Sequence, residues 1–404
     1  MNNMSQTAVP VGDEAVGARR VDTSRGQLNT TVSSQWFRRP DDQRFLSLDD
    51  LVAFTTARRD NAFEEQIDAN ELRFDASQAD DRSLRVITPG GESVSPSHYA
   101  FGQLCQTAKA PVEYLRSIHA WRAALNLQAD LLSNGNRVQT KVYGDTEQQT
   151  LRAVTGPRYG RIYDADVATM VQRFAGNGVG DTRWKIPGVM DWGTSMYNPY
   201  VDPSKETTTL FASDRDMFLF LCDDTHPVEI GKLPNGDPDL IFRGFYVWNS
   251  EVGARSLGIA TFWLRAICQN RNLWGVEDFD QLRIIHSRHG NERFVREAAP
   301  ALERYASSDP IKLLAGITAA REATVATTDE ERTAFLTDRL NLTLKQSLAV
   351  VGTCEREEGK KPESVWDFVQ GLTAVARTMP HQDERIGLEK VAANLMDRAA
   401  RHVA

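Results

Sequence analysis

Hydrophobic positions recur at helical spacing in the first and last thirds of the chain. Apolar residues repeat every three or four positions across residues 97–132, and Pro111 divides this region into two predicted helices because proline suits only the first turn of a helix. Ser47 begins a short helix as a capping box, and Ser364 with Asp367 forms another before a long apolar stripe that ends at Met379. The pattern predicts helices at both ends of the chain.

The period changes from about 3.6 to 2 at residue 137. A hairpin is predicted around Gly144 and Asp145, and a helix over 164–174. Further strands are predicted at 184–189, 195–200, 207–211, 217–222, 240–248 and 256–267. The run 217–222 is apolar throughout, so we expect that strand to be covered on both faces. Strands that follow one another through turns predict an α+β fold with a mostly antiparallel sheet.

The patterns divide the chain into four parts. Residues 1–35 are polar and small and predict a mobile tail. An N-terminal helical segment follows over 36–135, an antiparallel sheet core over 136–280, and a helical C-terminal region over 281–404.

Composition narrows the classes of function. Of the 404 residues, 41% are hydrophobic and 25% charged, as in folded globular proteins, and the formal net charge of −8 excludes a globally basic nucleic-acid binder but permits a local basic face. No apolar run reaches the roughly 20 residues of a membrane span, and the N-terminus lacks the apolar stretch of a signal peptide. We therefore expect no membrane association and a place in the cytoplasm of the host cell.

Catalytic and metal-binding patterns are weak. The four cysteines form no C-x-x-C pair and are expected to be buried thiols, and no phosphate-loop, dinucleotide, metalloprotease or hydrolase motif occurs. Two sets of residues could bind a divalent cation: Glu277, Asp278 and Asp280, and His286 with His289. We interpret the acidic set as a solvated helix start and the histidines as an isolated pair without a third ligand. We expect neither a metal nor a cofactor, and we favour a protein that is not an enzyme.

Four segments in fixed order are more distinctive. They read Tyr-Ala-Phe-Gly-Gln-Leu-Cys at 99–105, Leu-Arg-Ala-Val-Thr-Gly-Pro-Arg-Tyr-Gly-Arg-Ile-Tyr-Asp at 151–164, Asn-Ser-Glu-Val-Gly at 249–253 with Leu-Arg-Ala-Ile-Cys-Gln-Asn at 264–270, and Val-Trp-Asp-Phe-Val-Gln-Gly-Leu at 365–372. The chain from about residue 36 resembles the phage/plasmid-like family called domain of unknown function 932. Arg271 stands where that family usually has glycine, and Gln370-Gly371 where Asn-Ala is usual. The resemblance implies an origin in a phage, prophage or plasmid and no established reaction.

Arginine, tyrosine and amide side chains concentrate in these segments. Arginine donates to phosphate in pairs of hydrogen bonds and stacks on bases, so the segments predict a surface that binds nucleic acid. The candidate residues are Arg152, Arg158, Tyr159, Arg161, Asn249, Ser250, Arg255, Arg265, Asn270 and Arg271. Two alternatives are open: the arginines pair with Asp164, Asp166 and Glu251, and residues 249–253 form a hairpin turn.

Three functions follow from these observations. The first is a single-stranded nucleic-acid-binding accessory protein of a mobile element, acting in recombination or replication. The second is a non-catalytic interaction or structural protein whose partners are host or phage proteins, and the third is a metal-dependent nuclease. The sequence is also compatible with a homo-oligomer.

Overall fold

The computed structural model describes residues 39–76, 82–133, 139–186, 203–205, 207–232, 236–265, 271–272, 281–379 and 382–401. Helices hold 47% and strands 25% of the described residues, and the two sheets are mostly antiparallel, which confirms the α+β class. The predicted mobile tail lies outside the described residues, as does the predicted strand at 195–200. Of the helices within those residues, none has the length and apolar character needed to cross a bilayer.

The strands are β1 (Arg44–Phe45), β2 (Ala62–Asp68), β3 (Arg73–Asp75), β4 (Arg85–Ile87), β5 (Ser93–Pro96), β6 (Gln139–Asp145), β7 (Thr150–Thr155), β8 (Trp184–Lys185), β9 (Leu210–Ala212), β10 (Met217–Lys232), β11 (Pro238–Asn249), β12 (Leu257–Arg265), β13 (Arg271–Asn272) and β14 (Gln281–Ile284). The α-helices are α1 (Leu48–Asp60), α2 (His98–Ala108), α3 (Val112–Ser117), α4 (Ala120–Ser133), α5 (Asp164–Ala175), α6 (Gly290–Ala306), α7 (Ile311–Glu322), α8 (Asp329–Ala334), α9 (Leu344–Glu358), α10 (Val365–Thr378) and α11 (Gln382–Arg401).

The chain forms two compact units. The insert unit is Arg58–Tyr159, and the main unit consists of Thr31–Ala57 and Gly160–Ala404. This division differs from the one drawn from sequence, in which 36–135 is a helical segment and 136–280 a sheet core. The difference arises because the polar stretch 62–96 forms β2 to β5, and these strands share a sheet with β6 and β7.

The insert unit has a six-stranded sheet in the order β2-β6-β7-β5-β4-β3, in which only the β5–β7 pair is parallel. Helices α2 to α4 share its hydrophobic core, which includes Leu104 and Leu127. The hairpin predicted around Gly144 and Asp145 is displaced, because β6 continues through both residues and the turn lies at 146–149. Gly144 instead allows a close approach: a Cβ there would lie 2.4 Å from the ring of Phe63.

The main unit has an eight-stranded antiparallel sheet, with the path β1-β9-β10-β11-β12-β13, β14 beside β12 and β8 beside β10. The run 217–222 is buried on both faces of this sheet, as predicted: Leu219 joins the core formed with α5 and α6, whereas Phe218 joins an aromatic cluster on the other face. Two glycines make room for rings in that cluster. A Cβ on Gly258 would lie 1.9 Å from Trp248, so the indole occupies the space of the missing side chain.

The C-terminal helices pack on the main sheet. Ser364 caps α10 and Asp367 completes the capping box, as the sequence predicts. Trp366 and Phe368 are buried in a core that includes Ile241 of β11 and Trp263 of β12. The helical region and the sheet therefore share one hydrophobic core within the main unit.

Candidate functional site

Three loops of the main unit meet at Asn249, the last residue of β11. The amide Nδ2 donates to the carbonyl oxygen of Ile162 at 2.9 Å and to Asp164 Oδ1 at 2.8 Å. Both acceptors belong to the segment that leads into α5. Asn249 is 0% exposed, so its hydrogen-bonding groups are directed at the protein.

His286, which follows β14, completes the contact with Asn249. The backbone amide of Ile162 donates to Nδ1 at 3.3 Å, and Nε2 lies 3.0 Å from Asn249 Oδ1. Because Nδ1 accepts a hydrogen bond, the proton of the neutral ring is on Nε2 and is donated to Asn249. Burial, with the Arg161 guanidinium nearby, lowers the pKa of His286 to about 4, although Glu251 acts in the opposite direction. The ring is therefore neutral at pH 7.

Glu251 also holds the segment that leads into α5. Its Oε2 accepts from the backbone amide of Asp164 at 3.1 Å, and its carbonyl oxygen accepts from Arg161 Nη1. Arg161, Asp164 and Glu251 are all buried. We name Arg161, Asp164, Asn249, Glu251 and His286 the anchor cluster, because their contacts fix loop 160–164 to loops 249–251 and 286–290.

Gly160 fits against the third of these loops. A Cβ at this position would lie 1.9 Å from the carbonyl oxygen of Ser287. Only glycine permits this approach of two backbones without a shift. The Tyr-Gly-Arg sequence at 159–161 therefore has a packing reason for its glycine and a hydrogen-bonding reason for its arginine.

Ser250 forms part of the turn between β11 and β12. Its hydroxyl donates to the carbonyl oxygen of Arg215 at 2.6 Å and accepts from the amide of Ala254 at 3.0 Å. Gly253 has a φ of 92°, a left-handed conformation that glycine adopts at little cost. Residues 249–253 thus form the hairpin turn that was the alternative to a ligand loop.

Arg255 follows this turn and lies in a second charged group. Its Nε is 3.9 Å from Asp216 Oδ2, and Arg39 pairs with the same buried carboxylate at 2.9 Å. The Arg39 and Arg255 guanidinium carbons lie 5.7 and 5.3 Å from the centre of the Phe218 ring. Arg255 remains half-buried, with 20% of its side chain exposed.

Arg265, at the end of β12, joins the sheet to the C-terminal helices. It forms a bidentate pair with Asp239 at 2.8 and 2.9 Å and a further bond to Glu358 of α9 at 2.7 Å. Its guanidinium carbon lies 5.7 Å from the centre of the Trp366 ring. A bidentate pair of this kind fixes geometry as well as charge.

Arg152 lies within the insert unit. It is buried in β7, where Nη1 donates to the hydroxyl of Tyr143 at 3.1 Å and the guanidinium faces that ring. It therefore contributes to the interior of the small sheet rather than to its surface.

Arg158 and Tyr159 have a different position, on the turn that follows β7. The amide of Tyr159 donates to the carbonyl oxygen of Gly156 at 3.0 Å, and Lys141 Nζ donates to the Tyr159 carbonyl at 3.1 Å. Arg158 is exposed and forms no hydrogen bond or ion pair within the described part of the chain, whereas Tyr159 is half-buried. These two side chains occupy the strand-end turn that the sequence predicts.

The ten predicted residues are therefore not brought together on one surface. Arg152, Arg161, Asn249, Ser250 and Arg265 are buried and hydrogen-bonded inside the protein. Asn270 lies outside the described residues, as does the side chain of Arg271, whose backbone pairs with Leu264. Burial removes Arg152, Arg161, Asn249, Ser250 and Arg265 from any surface that could track a phosphate backbone, so they cannot belong to the predicted nucleic-acid-binding surface.

Sequence reasoning missed the acidic partners of the buried arginines. Asp216 lies 177 residues from Arg39, and Glu358 lies 93 residues from Arg265. No local pattern distinguishes such carboxylates from solvated ones. The sequence suggested Asp164, Asp166 and Glu251 as partners instead, because they stand inside the same segments as the arginines.

The two candidate histidine ligands have different surroundings. His286 has both ring nitrogens occupied by Ile162 and Asn249, and His289 is an exposed residue beside Glu292. Glu277, Asp278 and Asp280 lie outside the described residues. Across the ranges that the structure describes, no group of three or more His, Cys, Asp or Glu side chains is arranged to hold a metal ion.

Comparisons with protein-family models, with curated proteins and with solved structures give no match. The resemblance to domain of unknown function 932 therefore stays a prediction that rests on the four sequence segments.

Proposed function

We propose that the protein binds single-stranded nucleic acid through the turn at 156–159 of the insert unit. The observation that carries the proposal is the exposed guanidinium of Arg158, which has no hydrogen bond or ion pair with the described residues, beside the half-buried Tyr159. A guanidinium can contact a phosphate, and an adjacent aromatic ring can stack on a base. With the resemblance to a mobile-element family, this favours an accessory protein of phage or plasmid recombination or replication.

The turn is supported so that both side chains are held at a strand end. Pro157 restricts the backbone, and the Tyr159–Gly156 and Lys141–Tyr159 hydrogen bonds fix the turn against β6 and β7. Little ordering of the backbone is then needed on binding. Because the other described arginines of the predicted set are buried or paired, each chain offers few phosphate contacts, and the affinity should be modest.

The proposal is tested by fluorescence anisotropy with long single-stranded oligonucleotides of different sequence at low salt. We expect modest, salt-sensitive binding that is nearly independent of sequence, since phosphate contacts and stacking do not read base edges. Tyr159→Ala should weaken binding by about 1–3 kcal/mol through lost stacking. Arg304→Ala is the control, because Arg304 is an exposed arginine of α6 in the main unit.

A second candidate function is a non-catalytic interaction protein. One specific observation favours it: Tyr114, Leu125 and Leu132 of the insert unit expose 57%, 63% and 55% of their surface. Leu125 and Leu132 stand seven residues apart on α4, and adjoining exposed apolar side chains often mark a contact with another protein.

A further inference from the structure

Helix α4 of the insert unit has apolar residues on two opposite faces. One face is buried against the small sheet through Ala123, Leu127 and Leu131. The other face exposes Leu125, Ala129 and Leu132. Their spacing of four and then three residues places them in one stripe along the helix. A single exposed leucine is ordinary, but a stripe at helix-pairing spacing is a surface for another helix.

The charges of α4 are reversed from those that stabilise an isolated helix. Arg122 lies in its first turn, where the partial charge of the helix is positive, and its last turn contains no basic residue. Arg122 is exposed, with its guanidinium carbon 5.1 Å from the centre of the Trp121 ring. The basic residue that the C-terminal end lacks is thus present at the opposite end of the same helix.

We propose that α4 pairs with α4 of a second copy of this chain, antiparallel and about a two-fold axis near Ala129. The two-fold axis would place Leu125 of each copy opposite Leu132 of the other, and the small Ala129 lets the helices approach closely. Each Arg122 would then lie beside the C-terminal carbonyl groups of the other copy, where a cation is stabilising. The same patch serves both copies, as a two-fold interface requires.

The interface is small. Stable complexes bury about 1,200–2,000 Å² in total, and one stripe of two leucines and an alanine provides less than that. The dimer is therefore weak and concentration-dependent. It gives the second candidate function a definite partner, and it is independent of nucleic-acid binding.

Sedimentation velocity on the full chain without nucleic acid, over a concentration series, tests the pairing. We expect a reversible monomer–dimer equilibrium whose dissociation constant rises at least tenfold in Leu125→Glu and in Leu132→Glu. Arg122→Glu should also weaken it. Leu344→Glu is the matched control, because Leu344 is 59% exposed on α9 of the main unit. A wild-type protein that stays monomeric, or a dimer that both leucine variants leave unchanged, would overturn the proposal.

Crosslinking distinguishes the antiparallel arrangement from any other. Under mild oxidation, a mixture of the Leu125→Cys and Leu132→Cys variants should form a disulfide-linked dimer faster than either variant alone. The described cysteines Cys105, Cys222 and Cys354 are buried and should not compete. Faster crosslinking of Leu125→Cys with itself would indicate a parallel pair and contradict the proposal. Anisotropy with oligonucleotides, measured separately, reports on nucleic-acid binding alone.

Discussion

His286 and Asn249, 37 residues apart in sequence, are joined by a 3.0 Å hydrogen bond inside the main unit. Through Asn249 the imidazole is linked to Asp164 and to the carbonyl oxygen of Ile162. Three loops that begin or end different elements are thereby held in one geometry. The buried polar residues of the segments Arg-Ile-Tyr-Asp and Asn-Ser-Glu thus have a structural explanation.

Loss of the Asn249 side chain should destabilise the protein strongly. Asn249→Ala leaves the Ile162 carbonyl, Asp164 Oδ1 and His286 Nε2 without this partner in a buried site. Each buried polar group left without a hydrogen bond costs about 1–3 kcal/mol. Urea denaturation should show a loss of about 3 kcal/mol or more. Asn291→Ala, at an exposed position on α6, should change the unfolding free energy little, and an equally small effect of Asn249→Ala would refute the role of the cluster.

The free energy of unfolding should decrease as the pH is lowered from about 6.5 to about 4, because His286 titrates differently in the folded and the unfolded chain. An unfolded histidine titrates near pH 6.5, whereas the folded ring has a pKa of about 4. Between these values the unfolded chain binds a proton that the folded chain does not, so the contribution is complete above pH 6.5 and is lost as the pH falls. The loss reaches about 3 kcal/mol near pH 4.

Urea denaturation from pH 7.5 to 4 measures this effect. His286→Gln should be less stable at pH 7.5 and should show a shallower decrease with acidification than the wild type. The exposed His289 provides the control, since His289→Gln should retain the wild-type slope. Parallel curves for the wild type and His286→Gln would contradict the assignment of a neutral, buried imidazole.

Two glycines near the unit boundary offer a matched pair of substitutions. At Gly160 a Cβ would lie 1.9 Å from the Ser287 carbonyl oxygen, whereas at Gly156, apart from its chain neighbours, no heavy atom of the described residues lies within 4 Å of the added Cβ. Gly160→Ala should therefore force the loops apart at a cost of about 1–3 kcal/mol, and Gly156→Ala should be nearly neutral. Thermal unfolding of both variants checks the prediction, and equal melting temperatures would show that the loop accommodates the methyl group.

The C-terminal helices should be required for stability of the main unit. Ending the chain at Gly359 removes Trp366, Phe368 and Leu372, each a large buried side chain worth about 1.5–3 kcal/mol. It also removes Gln370, a neighbour of Arg265. We expect a large drop in melting temperature and increased binding of a hydrophobic dye. An unchanged melting temperature would show the segment to be a separate module.

The point variant Phe368→Ala gives the same test without truncation, because Phe368 is fully buried. A loss of about 3–5 kcal/mol is expected for such a cavity. Leu348→Ala on the exposed side of α9 is the control.

Local signals in the sequence predicted the elements with strong caps or periods. The Ser364 capping box and the apolar run 217–222 are examples, because their signals lie within a few residues. The strands between 62 and 96 were missed, since four of the seven residues of β2 are polar and the strand is only partly buried. Apolar periodicity cannot identify a strand of that kind.

The candidate site was predictable only in part. The turn with Arg158 and Tyr159 follows from a strand pattern and Pro157, which are local features. The burial of Arg161 and Arg265 could not be predicted, because it depends on pairing with groups such as Asp239 that only the folded chain brings near. An arginine in a polar segment has the same sequence signature whether it faces solvent or a buried carboxylate.

The salt dependence of binding to a long single-stranded oligonucleotide tests the central claim most directly. For the wild type, the logarithm of the association constant should fall linearly with the logarithm of the salt concentration. Arg158→Ala should reduce that slope by about 0.7, the value for one phosphate contact on a single strand. Its melting temperature should stay unchanged, because the side chain is exposed. Absence of wild-type binding at low salt, or the same slope in Arg158→Ala, would contradict nucleic-acid binding through this turn.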